Sequence, residues 1–119
     1  MTFHESLRTL VESVEGGVAG LLMGFDGIPV ETYARSDAGV DMATVGMEFS
    51  FILGQARKAA ESLEVGPLRE LTVRAERLTL LMRVVSKDYF IALALRPEGN
   101  YGKGRYLLRM AAPKVREAL

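Results

Sequence analysis

The residues of this chain that could do chemistry are few and scattered. The one histidine, His4, falls in the first turn of an N-terminal helix. A lone imidazole makes neither a metal site nor a nucleophilic triad, because each needs further ligands or a paired nucleophile, so a solvated surface histidine is the plainer role. Gly99-Asn100-Tyr101-Gly102-Lys103-Gly104 faintly resembles a phosphate loop, in which backbone N–H groups and a lysine would cradle an anion. Gly104 stands where a Walker loop needs Ser or Thr, so residues 98–104 are expected to form a flexible loop, with anion binding at the next helix N-terminus a minor alternative. Arg69, Arg74, Arg77 and Arg83 gather near Glu70 and Glu76. They could supply an arginine finger for phosphoryl transfer, but a salt-bridged sheet face is the commoner arrangement. The carboxylates show no paired acid–base spacing, and with no cysteine there is no thiolate, disulfide or iron–sulfur ligand. The sequence therefore proposes no catalytic residue, no cofactor and no metal.

It does propose a surface. Val18 to Tyr33, VAGLLMGFDGIPVETY, has the alternation of a hairpin, and Asp26-Gly27 suits a two-residue type I′ turn whose residues both sit at positive φ. That register makes Phe25 and Ile28 a facing pair. It also puts Ala19, Leu21 and Met23 on one face with Val30 and Thr32. A hairpin tip normally meets water, so two large apolar residues there either fold back under a helix or form a contact surface for another protein. Phe25 and Ile28 would then be anchors, and Asp26 a turn-fixing carboxylate or a rim hydrogen-bonding group.

The elements that must position this tip follow from pattern. Thr2 and Glu5 fit a capping box, with Phe3, Leu7, Leu10, Val11 and Val14 at helical spacing up to Gly16-Gly17. Pro29 lacks an N–H, which places strand 28–35 at a sheet edge. Asp41 is the expected N-cap of a long helix to about Glu64. That helix carries an apolar stripe, Val45, Phe49, Ile52, Ala56, Ala59 and Leu63, beside Gly46, Ser50 and Gly54 at i, i+4 and i+8. Small residues so spaced let another backbone approach, either the chain's own sheet or a symmetry mate across a dimer axis. After Gly66-Pro67, strands are expected over 68–76, 78–86 and 89–96. The first alternates charge with Leu71, Val73 and Ala75, as an edge strand with one wet face does. The other two are nearly continuous apolar runs, buried on both faces. A last helix carries Leu107, Leu108, Ala111, Ala112, Val115 and Leu119, with Pro113 expected to kink or restart it.

Length and composition bound the rest. A chain of 119 residues suits one domain, 1–119, with a core that needs no staples. Fifteen basic and fifteen acidic residues, interspersed, make no basic stripe for nucleic acid. No apolar run nears the roughly 20 residues of a membrane span, and MTFHESLRTL has no signal-peptide core, so a cytoplasmic location is expected.

The order helix, hairpin, long helix, three strands, helix resembles the Roadblock/dynein light-chain family over nearly the whole chain. The hairpin VAGLLMGFDGIPVETY, the Met42–Leu63 helix and the ending GNYGKGRYLLRMAAPKVREAL carry the resemblance. It implies an α+β, α/β/α sandwich: a five-stranded antiparallel sheet in order 2-1-5-4-3, the long helix on one face and the terminal helices on the other. It also implies a homodimer with long helices packed together and third strands meeting edge to edge, for which Met42, Gly46, Phe49, Ser50 and Gly54 of the long helix are the candidate contacts. Within the family the chain is similar to the bacterial MglB/MglC-type polarity regulators, and more so to the shorter MglC type. That implies a non-enzymatic cytoplasmic adaptor that binds a paralogous MglB-type Roadblock protein, for which the hairpin residues Phe25, Asp26 and Ile28 are the candidate contacts. A response-regulator protein and, indirectly, a Ras-like small GTPase are further implied partners. The alternative is a direct GTPase-activating or GTPase-binding regulator docking around Met42, Gly46 and Phe49. A small-ligand domain has little support, since few polar groups fall on apolar faces.

Overall fold

The computed structural model describes all residues 1–119. Its elements are α1 (Phe3–Glu12), β1 (Gly17–Gly24), β2 (Pro29–Ala34), α2 (Met42–Ser62), β3 (Glu70–Arg74), β4 (Thr79–Val84), β5 (Tyr89–Leu95) and α3 (Tyr101–Ala118). The five strands form one antiparallel sheet in the order β2-β1-β5-β4-β3, as the family resemblance implies. Both expected edges are edges. Pro29 opens β2, where the ladder does not need its missing N–H, and β3 turns Thr72 and Arg74 to solvent.

Alternation along the buried strands divides the core in two. Leu22, Leu81, Ile91, Leu93 and Leu95 face α1 and α3, joining Leu7, Val11, Leu108 and Val115. Leu21, Met23, Leu80, Met82, Phe90 and Ala92 face α2, joining Met42 and Leu53. At about 1.5–3 kcal/mol for each large side chain taken from water, the two layers supply the main drive for folding. β1 and β5, at the sheet's centre, are covered on both sides.

Local chemistry sets the helix starts. The Thr2 hydroxyl accepts from the Glu5 N–H at 3.1 Å, and it also donates to the Glu5 carboxylate rather than leaving that group to cap its own backbone. Asp41 accepts from the Ala43 N–H at 3.2 Å and from the Thr44 hydroxyl at 2.9 Å. α3 begins earlier than expected, which corrects the loop assigned to 98–104. Asn100 caps it by accepting from the Lys103 N–H at 3.1 Å, so Gly102 and Gly104 lie inside its first turn. Gly104 is there for space, because a Cβ would sit 2.7 Å from Leu81 Cδ1. The helix then runs through the exposed Pro113 to Ala118 without a restart.

Candidate functional site

The β1–β2 turn is the first candidate surface. The Gly27 N–H donates to the Gly24 carbonyl at 2.9 Å, and the Gly24 N–H to the Ile28 carbonyl at 3.0 Å. Gly27 has φ of 85°, whereas Asp26 is not at positive φ. This is a three-residue loop with a glycine bulge, not the expected two-residue I′ turn. The register expected from the sequence holds for Leu21↔Thr32 and Ala19↔Ala34, then slips by one, pairing Met23 with Pro29. Phe25 and Ile28 are therefore not a facing pair.

Their fates differ. Phe25 is half-buried, tilted against Phe90 at 5.3 Å between ring centroids, with the Arg57 guanidinium 4.0 Å from its own centroid. Its N–H donates to the Asp88 carbonyl at 2.9 Å, tying the tip to the β4–β5 turn. Ile28 is 65% exposed, and Val30 beyond it is also open. Asp26 holds the turn by accepting from the Ile28 N–H at 3.0 Å. The three residues stay together in space, with Phe25 folded back and Ile28 projecting.

α2 supplies the second surface, and the structure shows where the five residues expected at a dimer contact lie within the chain. Met42, Gly46 and Ser50 are buried against the chain's own sheet, and Phe49 is partly buried there. A Cβ on Gly46 would lie 2.1 Å from Leu21 Cδ2. The small face is thus used up within the fold, and only Gly54 of the five stays open, with nothing within 4 Å of a Cβ placed on it. The residues that α2 leaves uncovered are Met47, Phe51, Ile52 and Leu63, Phe51 being 69% exposed. Met47 and Phe51, an i, i+4 apolar pair outside the stripe, are the signal in the sequence that could have found this face. Met47 Cγ lies 4.0 Å from a Cβ placed on Gly27, so the hairpin tip and this face adjoin. On the same side of the sheet, Leu71 and Val73 of β3 are only partly covered, beside the strand's unpaired edge.

The charged residues form local ties. The Arg83 Nη1 donates to Glu70 at 3.2 Å and the Arg105 Nε, from α3, at 2.9 Å, so of the four arginines expected to make a salt-bridged sheet face only Arg83 does so. Partial burial pushes the Glu70 carboxyl up, but Arg105 and then Arg83 outweigh it and hold it below the usual carboxylate range. Arg74 lies over the Tyr101 ring, and Arg77 is exposed with no carboxylate partner. On α1, the Tyr33 hydroxyl donates to Glu12 at 2.7 Å, lowering the carboxyl's pKa and raising the phenol's. His4 is exposed, 3.7 Å from Glu31 and edge-on to Tyr33. No group of three or more His, Cys, Asp or Glu is arranged to hold a metal ion.

Sheet order and helix placement define a Roadblock-type domain. Among solved structures the chain is similar to MglC from Myxococcus xanthus, 46% identical over the full length of both chains with a TM-score of 0.73. It also shares its fold with a Roadblock/LC7 domain from Streptomyces avermitilis, 16% identical over 99% of this chain and 98% of that one with a TM-score of 0.86. The same holds for the gliding protein MglB from Thermus thermophilus, 15% identical over 96% and 88% with a TM-score of 0.80. No family model and no curated protein matches the chain. The chain belongs to the Roadblock/LC7 family, among the bacterial MglB/MglC-type polarity regulators.

Proposed function

We propose that this protein is a non-enzymatic, homodimeric adaptor. Its partner is a paralogous MglB-type Roadblock protein in a polarity or motility system under a Ras-like small GTPase. The observation that carries this reading is the hairpin tip. Ile28 projects into solvent from a turn that Asp26 holds rigid, while Phe25 is seated on Phe90 beneath it. A large apolar side chain presented on a preorganised turn has the form of an interface anchor, because little ordering remains to oppose binding. The identity to MglC supports the same assignment.

Self-association would use a different surface. The open row Phe51, Ile52 and Leu63, the half-covered Leu71 and Val73, and the free edge of β3 are together suited to a second copy of the chain. Gly54, rather than Gly46, is the point where the partner's helix would come close. The protein would work in the cytoplasm, and none of its helices is long and apolar enough to cross a membrane.

Light scattering after size exclusion tests the reading, on the protein alone and mixed with a purified MglB-type homologue. We expect a dimer alone and a larger stable complex in the mixture. GTP turnover by the cognate small GTPase, measured at saturating protein, should stay at its intrinsic rate. A raised rate would replace the adaptor reading with that of a GTPase-activating factor.

A further inference from the structure

We propose that the cleft at the C-terminal end of α2 is a docking site for an acidic peptide segment of a partner protein, one in which carboxylates alternate with apolar residues. The cleft has a volume of about 720 Å³ and lies among the end of α2, the α2–β3 linker, the β4–β5 turn and the end of α3. Ala60, Leu68 and Val85 give it an apolar wall, and all three are buried or partly buried. Around that wall stand Arg57, Arg69, Arg83, Lys87 and Arg116, against only Glu61 and Glu64.

These cations are largely uncompensated. No carboxylate lies within 4.0 Å of Arg57, Arg69, Lys87 or Arg116. Arg83 is paired, but its partner Glu70 also takes Arg105, so that trio keeps a net positive charge. The chain as a whole is neutral, so the excess belongs to this place and not to the general composition. The walls are also held in position without a ligand. The Arg57 Nη1 donates to the Lys87 carbonyl at 3.0 Å, clamping α2 to the β4–β5 turn, and the Val84 N–H donates to the Arg69 carbonyl at 3.0 Å.

The shape and dipoles select the ligand. α2 and α3 present their C-terminal ends here, and the negative ends of their dipoles disfavour a compact phosphate in the middle of the cleft. Offsetting the helix dipole accounts for Arg116, in the last turn of α3, but not for Arg69 and Lys87, which sit on the linker and the turn. Cations set on separate elements around an apolar wall suit an extended chain, its carboxylates reaching the rim and its apolar side chains the wall.

Fluorescence anisotropy on the intact protein tests this, with a labelled peptide of alternating glutamate and leucine as probe. We expect binding that weakens as salt rises, and that falls about tenfold or more in Arg69→Glu/Lys87→Glu. Both residues are exposed, so the variant should keep its thermal melt and its complex with the MglB-type homologue. This site and the hairpin reading can therefore fail separately. If the double reversal disturbs folding, Arg69→Gln and Lys87→Gln taken singly should each weaken the peptide. No binding to the unaltered protein at low salt, unchanged binding to the variants, or equal binding of a lysine–leucine peptide would each overturn the proposal.

Discussion

Two rows of residues on the α2 side of the molecule have similar composition and opposite fates. In the inner row, Phe25, Gly46 and Ser50 are turned to the sheet, Gly46 so closely that Leu21 excludes even a methyl group. In the outer row, Ile28, Gly54 and Phe51 again combine apolar bulk with a small residue but face water. Bulk facing inward stabilises the fold, and bulk facing outward is free to stabilise a complex. Spacing alone did not separate them. Gly46 and Gly54 are both members of one i, i+4, i+8 set, and only the direction of the helix relative to the sheet assigns them different work.

Substitutions that exchange the two roles are the sharpest way to break this contrast. Gly46→Val should cost about 3 kcal/mol, because a Cβ cannot fit beside Leu21 without displacing it. A urea melt shows it, and wild-type stability would mean that the helix does not sit as described. Phe25→Ala should cost about 2 kcal/mol, less than the loss of a fully buried Phe, because the ring is only half covered. Ile28→Ala should stay within about 0.5 kcal/mol of the parent in the same assay. Glu70→Gln should cost about 1 kcal/mol at neutral pH. The Glu70 carboxyl is held below its ordinary range, so this difference should be complete above about pH 4.3 and fade as pH falls through the folded-state pKa. Melts at neutral and acidic pH test that sign, and a difference that grows in acid would contradict it. Gly54→Ala should raise the helix's own stability by up to about 1 kcal/mol while weakening self-association, as analytical ultracentrifugation across a dilution series would report.

Much of the fold was legible because single residues carried strong constraints. Pro29 could only open an edge strand, charge alternation over Glu70–Arg74 marked the other edge, and continuous apolar runs placed β4 and β5 inside. The hairpin register was legible as far as Leu22 and then lost, because Asp-Gly serves both a two-residue turn and a three-residue turn with a glycine bulge. Gly102 and Gly104 looked like loop and are helix, and a glycine needed for flexibility and one needed for close packing, as Gly104 is, are the same letter. The surface was legible in part. Asp26 fixes the turn, as its carboxylate suggested, and Ile28 is exposed, but Phe25 is committed to Phe90 and Arg57, contacts made by residues far along the chain. Which residues of α2 stay open was not legible in their spacing, because burial depends on which side of the helix the sheet occupies.

The central claim is that Ile28 binds while Phe25 folds. Light scattering of Ile28→Asp mixed with a purified MglB-type homologue tests it most directly, run beside the unaltered protein and with the thermal melt of each as a control. The account predicts a larger complex for the unaltered protein, none for the variant, and the same melt and dimer mass for both alone. A complex that survives the substitution, or one that never forms with the unaltered protein, would contradict it.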